Sequence, residues 1–147
     1  MKRTLLSLTV VIALTSAALA HQGATGVVKE RMMAMGEIAE NMKLVNAMLR
    51  GKESYDGVKV VAAMEVISAH AIALPHKFPK GSEMAPSEAS PAIWDKTPEF
   101  NAIFGDLARS ATGILEFADD KAAVAKAFGS VAGTCKACHE DFRISRK

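Results

Sequence analysis

Aromatic residues and cysteines are both scarce in this chain of 147 residues. Aromatic side chains make up 5% of the sequence, and there are two cysteines. Sheets are rich in aromatic and β-branched residues, so this composition argues against a β-sheet fold. Ala, Met and Leu are plentiful instead, and these residues favour helices. The composition therefore predicts an all-α protein.

The chain also lacks a large excess of charge, with 18 Lys and Arg against 16 Asp and Glu. Two of the basic residues, Lys2 and Arg3, precede an apolar run at 5–14 and an Ala-Leu-Ala cleavage pattern at 18–20. This order predicts a cleaved secretory signal peptide over residues 1–20. The apolar run is short for a membrane span, although an uncleaved anchor is the alternative.

Removal of the leader also removes both of its basic residues, which leaves 16 basic against 16 acidic residues. The resulting net charge of zero gives no support to nucleic-acid binding. We therefore expect residues 21–147 to form one exported, periplasmic domain, with no membrane association in the mature form.

Apolar residues recur at steps of three and four in four segments, which is the period of a helix face. The first segment runs from Val28 to Leu49 and is followed by Gly51, the second starts at Asp56, the third has Thr97 as its N-cap, and the fourth begins after Asp119. Four amphipathic helices predict an antiparallel four-helix bundle.

A long loop is expected between the second and third helices, because 75–98 holds all five prolines. A loop of this length often carries a function, such as forming one wall of a pocket. Trp94 is expected to cover apolar surface there. In the fourth helix, Gly129 and Gly133 are expected to allow a neighbouring helix to approach closely.

Cys135, Cys138 and His139 form a C-x-x-C-H motif, the attachment signature of c-type haem. On a helix the three residues share one face, so two thiols can bind the haem vinyl groups while the imidazole binds iron. A thioredoxin-type site needs a βαβ context, and a structural zinc site needs four ligands. A disulfide between these cysteines would close only a very small loop.

Arg31 interrupts the apolar stripe of the first helix. A buried guanidinium needs a partner, and a haem propionate could accept its hydrogen bonds. The alternative is an arginine at the edge of the stripe that reaches water.

Met35 lies one turn beyond Arg31, where a thioether could become the second iron ligand. Core packing is the alternative for any methionine on a helix stripe, and spacing alone does not choose among Met35, Met32, Met33 and Met42. Near the other ligand, Phe142 and Arg143 follow His139 by three and four residues, so we expect both in the haem environment.

The run from Cys135 to Arg143 resembles the haem-binding end of the class II c-type cytochromes, the cytochrome c prime family. The resemblance extends over the mature chain and implies a four-helix bundle. It also implies that Arg31 is the family's first-helix arginine and that Met35, four residues later, faces the distal side of the iron. The loop at 78–82 and the Ile-Trp pair at 93–94 resemble the low-spin, methionine-ligated branch.

The resulting prediction is a non-enzymatic, periplasmic one-electron carrier with one covalent haem c, His139 and Met35 as iron ligands, and redox proteins as partners. The alternative is a five-coordinate haem protein that binds gases such as nitric oxide or carbon monoxide. A third hypothesis, an exported thiol or metal-binding bundle, requires no haem. Family members often form dimers through their first two helices, so a homodimer remains open.

Overall fold

The computed structural model describes residues 23–144. The predicted signal peptide, the predicted mature N-terminus at His21 and the last three residues lie outside the described residues. The described chain forms the α-helices α1 (Gly26–Leu49), α2 (Gly57–Ala73), α3 (Ala92–Asp95), α4 (Thr97–Ile114) and α5 (Lys121–Phe142).

The four long helices form the predicted bundle. Helix α1 packs on α2, α2 on α4, and α4 on α5, whereas α1 and α5 make few direct contacts. Fully buried side chains from these helices form one core, including Val45, Met64, Ile67, Ile114 and Val131. Residues 23–144 contain no strand, apart from one isolated bridge between Ala89 and Arg143. The predicted all-α bundle is therefore confirmed.

Two of the predicted helix ends are formed by the expected residues. The carboxylate of Asp56 accepts a hydrogen bond from the Lys59 amide at the start of α2, as an N-cap does. Gly51 follows α1 with a φ of +70°, a conformation that glycine adopts at little cost.

The start of α4 differs from the prediction that Thr97 is its N-cap. Thr97 is instead the first residue of the helix, and Lys96 precedes it without a side-chain cap. The Thr97 hydroxyl donates to the Ile93 carbonyl, at 3.0 Å. The expected cap hydrogen bond is lost because α3 ends only two residues earlier and offers its own carbonyl groups.

The segment predicted to be an irregular loop contains local structure. Helix α2 continues as a 3-10 turn over Leu74–Lys77, and α3 adds one helical turn directly before α4. The Trp94 indole NH donates to the Phe78 carbonyl at 3.0 Å, so this partly buried ring both packs and joins two parts of the loop.

The close approach expected at Gly129 and Gly133 is wrong. A Cβ atom at either position would meet nothing within 4 Å. The close approach occurs instead at Gly57, where a Cβ would lie 3.0 Å from the Ala118 carbonyl oxygen. The Tyr55 hydroxyl donates to the same carbonyl at 2.6 Å, which ties the α1–α2 connection to the α4–α5 connection.

Helix α2 is the most apolar element. Together with its 3-10 turn, the segment Gly57–Lys77 is long and apolar enough to cross a membrane by length and composition, since 18 consecutive residues of it have a mean hydropathy of 1.6. Its inner face, with Val60, Met64 and Ile67, is fully buried against the rest of the bundle. We therefore describe α2 as the central core helix.

Candidate haem site

An apolar cleft lies where α1 and α5 make few direct contacts. It consists of two adjoining cavities of about 460 and 380 Å³. The larger lies between α1, α4 and α5, while the smaller is also walled by the loop before α3. The residues that line both are Met35, Ala39, Phe104, Cys138 and His139.

The C-x-x-C-H motif faces this cleft. Cys135, Cys138 and His139 line the larger cavity from the last turns of α5, as their shared helix face predicts. Both cysteines are free thiols and half-buried against the core. The motif therefore presents two thiols and an imidazole to one apolar space.

The environment of the two thiols opposes thiolate chemistry. Burial raises the pKa of Cys135. Burial, followed by the neighbouring Cys135 and Asp141, raises the pKa of Cys138 to about 11. Reactive cysteines of redox enzymes have the opposite shift, because positive charge or a helix N-terminus stabilises their thiolate. These pKa shifts argue against the thiol-enzyme hypothesis.

The environment of His139 favours its neutral form. Desolvation is the larger cause that lowers the pKa of this imidazole, and the charge of Arg143 is the smaller. A neutral imidazole nitrogen is the form that binds a metal. The form of His139 that can coordinate a metal is thus favoured, and the residue lies on the side of α5 that also carries the thiols.

The structure separates the four methionines of α1 that the sequence left as rivals. Met35 lines both cavities, Met42 lines only the larger and Met32 only the smaller. Met33 is 50% exposed and lines neither. Among these four, Met35 therefore shares the most space with His139, although its role as an iron ligand remains a prediction.

Arg31 is buried, with 5% exposure, but its guanidinium has partners that the sequence did not reveal. It donates to the Lys77 carbonyl and to Ser82 and Ser87, at 2.7–3.1 Å. Its Cζ also lies 4.5 Å from the centroid of the Phe78 ring. The expectation that burial would leave this guanidinium in need of an anion is wrong, because oxygens of the loop supply the acceptors. Its contact with a haem propionate remains a prediction.

An aromatic cluster covers one wall of the smaller cavity. The Phe100 ring makes edge-to-face contacts with Phe78, Phe104 and Phe142, with ring centroids 4.8, 5.1 and 5.3 Å apart. All four rings line the smaller cavity. Phe142 was expected near the haem; the grouping with Phe78 could not be predicted from periodicity, because Phe78 lies in the loop.

Arg143 lies at the mouth of the smaller cavity and is paired with Glu88. Its Nε donates to a carboxylate oxygen of Glu88 at 2.8 Å, and its Nη2 lies 2.6 Å from the same oxygen as an ion pair. Glu88 and Ser87 could not be predicted as site residues, because no periodic pattern or motif marks these loop positions.

The residues present fit a covalently attached haem. The cleft is lined mainly by apolar side chains, which suits the macrocycle. Two thiols and one imidazole stand at the C-x-x-C-H spacing on its wall. Within residues 23–144, no group of three or more His, Cys, Asp or Glu side chains is arranged to hold a metal ion directly.

Comparisons with known proteins give consistent results. The family model described as "Cytochrome C'" matches residues 26–143. A cytochrome c-556 of Agrobacterium fabrum is 35% identical over 124 residues, which cover 84% of this chain and 84% of that protein.

Solved structures with the same fold are also similar. Cytochrome c' from Rhodopseudomonas palustris superposes with a TM-score of 0.80 at 31% identity, covering 84% of this chain and all of that one. A nitric oxide complex of a mutant cytochrome c prime from Alcaligenes xylosoxidans has a TM-score of 0.73 at 26% identity, covering 81% and 94%.

Proposed function

This chain belongs to the cytochrome c′ family and carries covalently attached haem c, and from that premise we propose that it is a non-enzymatic haem protein that binds small gases. Cys135 and Cys138 hold the haem through thioethers, and His139 binds its iron. The haem supplies an iron centre for ligand binding and one-electron chemistry. The protein supplies attachment, orientation and the shape of the space beside the iron.

The observation that carries the proposal is the apolar lining of the cleft around Met35, which would border a haem attached to the motif on α5. Its α1 and α4 walls are mostly aliphatic or aromatic, and its polar side chains are few. Neutral diatomic molecules lose little hydration on entering such a space, whereas charged or strongly hydrated substrates would lose much. The nitric oxide complex of the Alcaligenes relative supports this choice, since that protein has the same fold.

Electron transfer with His139 and Met35 as axial ligands is the second candidate, although the sequence placed it first. The comparisons with cytochrome c′ favour the gas-binding alternative. One observation supports the electron-carrier hypothesis: Met35 lines both cavities together with His139. A thioether ligand would raise the reduction potential and close the iron to gases.

The deciding experiment is an optical titration of the matured, reduced protein with carbon monoxide. The proposal predicts a high-spin reduced spectrum that shifts as carbon monoxide binds. A sharp low-spin reduced spectrum that carbon monoxide leaves unchanged would reject gas binding and establish the carrier.

Met35→Leu tests the second candidate directly, and Met42→Leu is the matched control because Met42 lines the same larger cavity. If Met35 is unbound, both variants keep the wild-type spin state. If Met35 is an iron ligand, Met35→Leu alone becomes high-spin and gains carbon monoxide binding. Absorption and electron paramagnetic resonance spectra measure the difference.

We further propose that the protein works in the periplasm after cleavage of residues 1–20, and that any electrons it exchanges pass to and from other redox proteins. Two features support export: the leader pattern and the attachment chemistry of the motif. Mass spectrometry should find a chain that begins at His21 and carries one haem. A mass that includes the leader would contradict cleavage.

A further inference from the structure

The larger cavity extends past the attachment motif, along the side of the bundle where α1 and α5 make few direct contacts. This extension, here called the groove, is lined by residues from the middle of both helices: Met42, Lys43 and Asn46 of α1, and Phe128, Ala132 and Thr134 of α5. None of these six residues lines the smaller cavity. The groove is therefore a separate arm of the cleft.

Haem attached to the motif would leave the groove beyond the edge of the macrocycle. Its iron is bound at His139, and its vinyl groups, one of which forms the Cys135 thioether, lie at the edge of the ring. Ala132 and Phe128 precede Cys135 by three and seven residues. At 1.5 Å per residue, they lie about 4.5 and 10.5 Å further along the helix axis. The groove thus continues past the bonded edge, on the side away from His139.

The outer edge of the groove meets solvent. Lys43 and Asn46 on α1 are exposed, and so is Ala132 on α5. Gly129 and Gly133 flank Ala132, and a Cβ atom at either glycine would meet nothing within 4 Å. No side chain from these three positions of α5 therefore extends across the opening.

The inner part of the groove is apolar and leads to Met35. Phe128 is buried, with 8% exposure, and the half-buried Met42 packs against the core. Met42 follows Met35 by seven residues, which places both on one face of α1. A neutral diatomic molecule loses little hydration in such a space. The groove therefore connects solvent to the Met35 side of the cleft by a path that suits a small gas.

We propose that small gases reach the iron along the groove, and that the side chain at position 132 controls how fast they pass. The route rests on the proposed function, because it serves an iron that binds gas. Ala132 has the smallest side chain of the six lining residues, so it leaves the groove wide on the α5 side. A larger side chain at this position would fill the groove from two helical turns before His139.

The kinetic test enlarges that side chain in two steps, with Ala132→Leu and Ala132→Phe. Flash photolysis of the matured, reduced protein measures carbon monoxide association and dissociation. Ala132→Phe should slow both rate constants by about tenfold, and Ala132→Leu by less, because a narrower route raises the barrier equally in both directions and leaves the affinity unchanged. Ala102→Phe is the matched control, since Ala102 is exposed on α4 and lines neither cavity.

Xenon tests the groove independently of the iron, because xenon binds in apolar cavities. Crystals of the haem-loaded protein are exposed to xenon under pressure. The proposal predicts a xenon atom beside Met42 and Phe128 in the wild type and in Ala102→Phe. The same position should be empty in Ala132→Phe.

Three outcomes would overturn the route and leave gas binding in place: carbon monoxide rates in Ala132→Phe that equal those of the wild type, a changed affinity with xenon still in the groove, or a wild-type groove without xenon. The second would mean that the new side chain acts on the iron site and not on passage. A wild type that binds no carbon monoxide would instead reject the gas-binding function, and the route to the iron with it.

Discussion

Cys138 has a thiol pKa of about 11, because it is half-buried beside Cys135 and Asp141. At neutral pH such a thiol stays protonated and reacts slowly with electrophiles. The same two cysteines would make a poor redox enzyme, because burial raises the pKa of both thiols. The C-x-x-C spacing is common to haem-attachment motifs and thiol enzymes. The burial of these two thiols argues against a thiol enzyme.

Tyr55 gives a prediction at the same scale. Its hydroxyl donates to the Ala118 carbonyl at 2.6 Å, so Tyr55→Phe should lower the free energy of unfolding by about 1 kcal/mol at pH 7. Chemical denaturation measures this loss. Equal stability of the two proteins would show that the hydrogen bond contributes nothing.

The pH dependence of that loss has a definite sign. Burial first, and then Asp119 and Asp120, raises the pKa of Tyr55 in the folded protein. Above pH 10 the unfolded tyrosine releases its proton while the folded one keeps it, so the stabilisation falls as pH rises. The difference between the wild type and Tyr55→Phe should therefore shrink above pH 10, measured against the same pair at pH 7.

At the scale of elements, the helices were predictable from the sequence, whereas the contacts of the loop between α2 and α3 were not. The apolar stripes depend on residues three and four apart, so α1, α2, α4 and α5 could be found from local pattern. The C-x-x-C-H motif is equally local. The contacts of Arg31 join residues 46–56 positions apart, and no local pattern records them. The burial of Arg31 was foreseeable, but the identity of its partners was not.

Two glycines in helices give opposite predictions. Gly129 in α5 is exposed and has open space around it, so Gly129→Ala should stabilise the protein by about 0.5–1 kcal/mol through lower chain entropy. At Gly57 in α2 the new Cβ would lie 3.0 Å from the Ala118 carbonyl oxygen and 3.2 Å from Asp119 Cα, both backbone atoms. Gly57→Ala should therefore destabilise by about 1–3 kcal/mol.

Thermal unfolding of the two variants and the wild type tests whether Gly129→Ala stabilises the protein and Gly57→Ala destabilises it. Both changes are Gly→Ala, at the first residue of α2 and in the interior of α5. Stabilisation by both variants would mean that the α4–α5 connection can move away from Gly57 at little cost.

At the scale of the whole molecule, the outer face of α2 carries two exposed apolar side chains. Val58 and Ile72 on α2 are 77% and 66% exposed. They lie 14 residues apart, close to four full turns, so they share a face. Apolar side chains exposed in this way favour association. A homodimer through the first two helices, which the sequence leaves open, would bury these two side chains.

Ile72→Glu tests that expectation. Burial of one such side chain is worth about 1.5–3 kcal/mol, so the variant should weaken the dimer about ten- to a hundredfold. Sedimentation velocity over a concentration series measures the change, with Thr112→Glu on the exposed side of α4 as the control. A wild type that sediments as a monomer at all concentrations would reject the homodimer.

The cleft draws its walls from the two ends of the described chain, with Met35 in α1 and the haem-binding residues at the end of α5. Synthesis makes α1 before α5, which carries the C-x-x-C-H motif. A chain synthesised only as far as α4 therefore lacks the two thiols and the imidazole of the site. Covalent attachment of the haem therefore has to follow the synthesis of α5, after α1, α2 and α4 have been made.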